Sequence, residues 1–299
     1  MRTDVRNIRS RGAAGGCHAA LMTPSPASSG PSSSSAASTS DERFDALVAE
    51  AVSVSVEGWD FSWFEGRATE ERPSWGYARA MAGRLARARA ALDIDTGGGE
   101  VLASAPVLPP LTVATESWPP NIARATALLH PRGAAVVACG EGSPLPFGDR
   151  AFDLVVSRHP VTTWWEEIAR VLAPGGTYFS QQVGPASVFE LIEYFLGPRT
   201  PEERDARDPG RARRGAEAAG LEVTDLRAER LRIEFHDIGA VVHFLRKVIW
   251  MVPGFTVAEY LPQLRSLHRL IEEEGPFVAH SSRFLVEARK PEHPPTGLR

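Results

Sequence analysis

The segment Ala91-Leu92-Asp93-Ile94-Asp95-Thr96-Gly97-Gly98-Gly99-Glu100 has residue types and an order that could do chemistry. An apolar run ends in an acid, three glycines follow, and a helical stretch opens at Glu100. Glycines at such a turn let the backbone approach a ligand without Cβ atoms in the way. In an open α/β sheet, ligands sit beyond the carboxyl ends of the strands. Glu116 closes the next apolar strand, 17 residues after Gly99. A carboxylate there can accept both hydroxyl hydrogens of a ribose. The pair predicts a nucleoside-containing ligand; a plain strand–helix turn beside a surface glutamate is the alternative.

Two histidines could move protons. His159 lies just past an apolar strand, at the ligand edge, and His236 adjoins Asp237. Histidine is the common general base, so these are the catalytic candidates. No GxSxG elbow exists, which argues against hydrolase chemistry. The two cysteines, Cys17 and Cys139, form no CxxC unit, so no metal site is expected. So few thiols suit a reducing, cytoplasmic setting.

The elements that must hold these residues alternate. Strands are predicted at 90–94, 111–115, 134–138, 152–157, 177–183, 221–230 and 283–289. Helices are predicted at 41–56, 78–89, 100–105, 119–129, 163–172, 188–196, 211–219, 238–250 and 256–274. Ser117 suits an N-cap, with the Pro119–Pro120 pair in the first turn. Alternation of this kind argues for an α/β fold, a doubly wound Rossmann-like sheet with right-handed crossovers. Residues 1–40 read as a disordered tail: an Arg-rich start, then a Ser/Ala/Pro/Thr run. That start also fits a transit peptide, or a true start at Met22. Residues 41–77 read as a helical and aromatic cap, 78–290 as the main domain, 236–275 as a helical insertion or lid, and 291–299 as a tail.

Of the 299 residues, 43% are hydrophobic and 23% charged, and the net charge is −4. Such a chain is globular, and its overall field does not favour nucleic acid. The basic stretch Arg204–Arg214 is diluted by Glu202, Glu203, Asp205 and Asp208 and lacks interleaved aromatics, so it reads as a solvated loop and helix face. No 18-residue apolar run exists, so no membrane span is expected. Oligomeric state is undefined.

Counted from Gly97, a GxGxxG fingerprint would need glycine at Leu102, which ranks a nicotinamide oxidoreductase low. The turn instead resembles motif I of class I S-adenosylmethionine (SAM)-dependent methyltransferases, hydrophobic-D-x-G-x-G-x-G. Glu141 to Phe147 resembles that family's D-A-x-x-LPF segment, Ala151 to Val156 its S-F-D-L-V opening, and Arg170 to Gly176 its R-V-L-K-P-G-G turn. The resemblance covers about 59–290 and is closest over 92–183. A narrower likeness is to bacterial methyltransferase-domain proteins of the L-D-x-G-T-G-G-G-E type, which share Trp75-Gly76-Tyr77, Arg158-His159, Gln181–Gly184 and Asp237–Ala240.

The resemblance implies a seven-stranded sheet, mostly parallel with an antiparallel last strand, plus helical cap elements, and SAM as cofactor. Asp93, Gly97, Gly98 and Gly99 would line its methionine part. Glu116 with Ser117 would hold the ribose, and Glu141, Gly142 and Ser143 would flank the adenine. Arg158 and His159 would border the sulfonium and acceptor, and Tyr77 would close over the cofactor. The expected activity is methyl transfer to a small molecule, with RNA the lesser alternative. One departure matters: Asp95 stands where the family has glycine, which leaves open a noncatalytic SAM- or nucleoside-binding protein.

Overall fold

The computed structural model describes residues 33–56, 61–140 and 144–292. Contacts divide the chain into Met1–Thr39 and Ser40–Arg299. In the former unit only the start of the first helix is described; the sheet and the other helices belong to the latter. Elements are numbered in chain order. The helices are α1 (Ser33–Ser53), α2 (Tyr77–Leu85), α3 (Glu100–Ala103), α4 (Pro119–Leu129), α5 (Trp165–Val171), α6 (Phe189–Leu196), α7 (Pro201–Arg204), α8 (Pro209–Ala218), α9 (Ile238–Lys247) and α10 (Leu261–Glu274). The strands are β1 (Ala68–Glu70), β2 (Ala90–Ile94), β3 (Leu111–Glu116), β4 (Ala135–Ala138), β5 (Phe152–Arg158), β6 (Leu172–Val183), β7 (Glu222–Phe235) and β8 (Phe277–Arg289).

The described strands form one sheet in the order β1-β7-β8-β6-β5-β2-β3-β4. β4, β3, β2, β5 and β6 run parallel, and β8 pairs antiparallel with both β6 and β7. The expected Rossmann-like sheet with an antiparallel last strand is therefore present, with eight strands rather than seven. The extra strand is β1, whose three residues pair with Ile233–Phe235. Three residues carry no period to read, and tertiary pairing makes this strand. The order reverses between β2 and β5, which places the glycine turn at the switch point.

Both faces of the parallel part are covered. Leu85, Leu102, Ala125 and Leu129 from α2, α3 and α4 pack on one side; Ile168, Val171, Ala212 and Ala216 from α5 and α8 pack on the other. β7 and β8 run past the end of β6. Pairs from Arg230–Ser282 to Phe235–Phe277 have no β6 partner, an overhang of roughly 20 Å at 3.4 Å per residue. α1, α6, α9 and α10 pack with it through Phe44, Leu191, Val241, Leu245, Leu264 and Leu267. Residues 236–275 thus fold as a packing layer here. Phe244, Met251, Phe255 and Tyr260 join it, while Trp250 is 56% exposed.

Several expectations are corrected. α1 starts at Ser33, inside the stretch expected to be disordered. Its buried stripe Phe44, Val48 and Ala51 nucleates a helix that then propagates upstream through an Ala-containing run. The N-cap of α4 is Trp118, not Ser117, and no side chain caps it. The loop expected over 197–210 contains α7, closed by a Thr200–Glu203 capping box. The aromatic cap is not one unit: Trp63 and Phe64 join the α9 layer, whereas Trp75 and Tyr77 join the sheet core. Gly58, Trp59 and most of the two expected tails lie outside the described residues.

Candidate active site

Asp93 and Ile94 end β2, and the chain turns at once. Asp95, Gly97 and Gly99 all have positive φ, at 56°, 64° and 85°. At Gly99 a Cβ would lie 3.0 Å from Leu129 and 3.3 Å from the Ala125 backbone, so this glycine also lets α4 pack close. Thr96 Oγ1 donates to Asp93 Oδ2 at 2.7 Å, and Thr96 N donates to Thr115 O at 3.0 Å. Glu116 is buried at the tip of β3. One of its oxygens accepts the Gly97 N–H at 2.8 Å; the other accepts those of Ser117 and Trp118 at 2.9 and 3.0 Å. One carboxylate therefore ties the glycine turn to the turn after β3.

The charge here is one-sided. Burial lifts the Asp93 carboxyl to about 7; the Thr96 hydrogen bond opposes this, and the nearby charges of Asp95 and Glu116 add to it. Three acids thus converge where the sheet order reverses.

A second group lies along β5 and β6. Tyr77 stacks on Phe179 at 5.3 Å and donates to the Ser157 carbonyl at 2.8 Å. Burial raises its hydroxyl pKa further, with Asp93 adding to the effect. Trp75 Nε1 donates to Gln181 Oε1 at 2.7 Å, and Gln181 Nε2 lies 2.9 Å from His159 Nε2. An indole N–H can only donate, so the Gln181 amide must turn its oxygen to Trp75 and its NH2 to the histidine. His159 Nε2 is then an acceptor, and the neutral ring carries its proton on Nδ1. Burial, followed by Arg158, Arg283 and Arg207, pushes its pKa down to about 3. His159 also has φ 58° and donates its own N–H to Gln181 O at 2.7 Å.

Two cavities open at this edge. One, of about 80 Å³, is lined by Ile94, Asp95, Thr115, Cys139, Leu145 and Trp164 among others. A larger one, of about 270 Å³, lies between the chain after β5, the end of β6 and the start of α8. Val161 and Thr162 line both.

Residues 92–180 match a family model described as a methyltransferase domain. Residues 92–180 of the chain thus carry a methyltransferase domain. No curated protein matches it. Among solved structures, a candidate methyltransferase from Bacillus halodurans C-125 is similar at 18% identity, covering 71% of this chain and 99% of its own, with a TM-score of 0.51. The YcgJ protein of Bacillus subtilis gives 18% identity, 73% and 99% coverage, and 0.51. A protein of unknown function from Deinococcus radiodurans R1 gives 16%, 75% and 90%, and 0.51. At these identities the structures share the fold.

The cofactor of the methyltransferase domain is SAM, and the donor set suits it. A ligand bearing an ammonium and a sulfonium offsets the cluster of Asp93, Asp95 and Glu116. Gly97 and Gly98 keep the turn free of side chains, whereas Asp95 puts one into the lining of the smaller cavity. Glu116 already accepts three N–H groups, so hydroxyls would share its remaining lone pairs.

Other expected site residues lie in varied places. Asp93, Gly97, Gly98, Gly99, Glu116 and Ser117 come together. Arg158 ends β5 opposite Gln181, exposed and with no ion pair among the described residues. Glu141, Gly142 and Ser143 lie outside the described residues. His236 is not brought to the turn: it follows the β7 overhang, where its N–H donates to Arg67 O. Asp237 does not orient it, because its carboxylate caps α9 through Ala240 N at 2.8 Å. No cluster of metal-ligating side chains exists among the described residues. No described helix is long and apolar enough to cross a membrane.

Sequence reasoning passed over Thr96 and Gln181 as site groups. Gln181 and Gln182 are polar residues buried in a central strand, which is itself a signal. Arg170 was only part of a motif, yet it binds Leu145 O, Phe147 O and Asp149 and pairs with Glu167, fixing the LPF segment beside the smaller cavity.

Proposed function

We propose that this domain transfers a methyl group from SAM to a small-molecule acceptor seated in the larger cavity. The observation that carries this is the shared wall: the Val161–Thr162 segment borders both the cavity at Asp95 and the 270 Å³ cavity beside it. Bound SAM would supply an already activated methyl group, so the protein's task is alignment and exclusion of water. The glycine turn and Glu116 would position the donor. Tyr77, stacked and hydrogen-bonded to the β5 backbone, stiffens the floor beneath it.

His159 fits a positioning role better than that of a general base. Its Nε2 lone pair is taken by Gln181, and the remaining nitrogen carries a proton to donate. The acceptor then needs an atom that is nucleophilic without proton abstraction at this edge. His236 has no part in this reading.

Asp95 favours a second reading, a domain that binds SAM but turns nothing over, because its side chain lines the donor cavity. Calorimetric titration with S-adenosylhomocysteine tests the donor site: binding that is lost at least tenfold in Glu116→Gln supports it. No binding in the native protein, restored in Asp95→Gly, would mean that Asp95 has closed the site. Binding without methylation of any compound in a broad acceptor screen would favour the second reading.

A further inference from the structure

We propose that the acceptor carries an anionic group on an apolar body, and that Arg207 and Arg211 hold the anion in the larger cavity; this rests on the methyl-transfer reading above. The walls divide by chemistry. Val161, Trp165 and Phe284 offer apolar surface, Thr163 and Gln182 offer hydrogen bonds, and Arg207 and Arg211 offer positive charge.

The pairing of neighbouring arginines sets these two apart. On the same stretch, Arg204 pairs with Glu193, Arg213 with Glu217 and Arg214 with Asp208. Arg207 and Arg211 have no carboxylate partner and no side-chain hydrogen bond among the described residues. Asp208, also in the lining, does not neutralise them: it accepts the Arg211 backbone N–H at 3.1 Å and lies 3.7 Å from Arg214. The unpaired guanidiniums of this segment are thus the two that line the cavity. Arg158, exposed and without an ion pair among the described residues, adds to the positive field, which acts with the larger effect of burial to keep His159 neutral. Arg283 is answered by Glu70 at 3.0 Å.

The positive edge stands against a chain of net charge −4, so it is local. Guanidiniums bind carboxylate or phosphate oxygens through paired N–H donors. A cavity of about 270 Å³ has room for a small organic anion. No row of exposed aromatics lines it for stacking successive bases.

The test is ligand binding to the full chain with benzoate, phenyl phosphate and neutral benzamide, each with and without S-adenosylhomocysteine. One of the anions is expected to bind at least tenfold more tightly than benzamide, and which one does so separates a carboxylate from a phosphate acceptor. The preference should vanish in Arg207→Gln/Arg211→Gln, with S-adenosylhomocysteine affinity and melting temperature unchanged. Equal affinity for anion and amide, or a preference that survives in the double variant, would overturn the proposal. S-adenosylhomocysteine is titrated separately. If it fails to bind while the anion preference persists, the donor-site reading falls, and with it the role of the anion as acceptor.

Discussion

Replacing Asp93 by Asn should change how the stability of this protein depends on pH. Asp93 is 7% exposed, beneath a turn that brings two more acids close, and burial raises its pKa from an ordinary 3.8 to about 7. A carboxyl raised in the folded state holds its proton longer there than in the unfolded chain. Its stabilising contribution is therefore complete below pH 3.8 and lost as pH rises through 7. With these two values the loss between pH 5 and pH 8 is on the order of 2.5 kcal/mol. For a domain of this size that corresponds to roughly 5–10 °C in melting temperature. Asn keeps an oxygen for Thr96 Oγ1 and carries no charge in either state, so Asp93→Asn should match the native protein only below pH 3.8, be more stable already at pH 5, and gain about 2.5 kcal/mol more by pH 8. Thermal melting of both proteins across that range reads the difference directly, and taking the difference cancels the titrating groups that do not interact with Asp93. His159 is one such group: its lowered pKa costs stability as pH falls below 6.5, the opposite sense, and can flatten the native profile. A native-minus-variant difference that is the same at pH 5 and pH 8 would refute the burial argument for Asp93.

Three further outcomes are expected. Glu116→Ala should lower stability by about 2–4 kcal/mol, because three backbone N–H groups lose their acceptor, whereas Glu116→Gln should keep much of the stability and still lose affinity for S-adenosylhomocysteine; urea titration and calorimetry separate the two effects. Gly99→Ala should cost about 1–3 kcal/mol in the same titration, from a positive φ and a Cβ pressed against Leu129; an unchanged midpoint would contradict the close packing of α4. Burial raises the Cys139 thiol pKa, so in a Cys17→Ser background alkylation by iodoacetamide at pH 7.5 should be slow. Because Cys139 lines the smaller cavity, S-adenosylhomocysteine should slow it further, and an unchanged rate would put the ligand elsewhere.

The sequence was legible where local pattern and tertiary structure agree. β2 and α4 fall at their expected residues because a short apolar run and a Pro-started amphipathic helix each define both their ends. β8 was read short because small residues, Ala279 and Ser281, hold the buried positions of its overhang and give little apolar signal; β7 was read short although Leu231, Ile233 and Phe235 alternate there with Arg230, Arg232 and Glu234. β1 has no period of its own. For the site, spacing found the acids and glycines, since Asp93, Gly97 and Glu116 lie close along the chain and are joined by adjacent parallel strands. It could not find Gln181, whose meaning comes from Trp75, 106 residues earlier.

That contact also shows why residue type alone misjudged His159. A histidine at a ligand edge reads as a base, but its chemistry is set by what meets its second nitrogen. An indole that can only donate fixes the orientation of an amide, the amide fixes the tautomer of the imidazole, and the imidazole is left with a proton to give. Replacing Trp75 by Phe would free Gln181 to turn over. His159 Nε2 would then face an oxygen and take the proton, leaving Nδ1 as the acceptor. The ring 15N shifts of His159 distinguish the tautomers in the native protein and in Trp75→Phe, and identical shifts in the two would break the chain of inference at its first link.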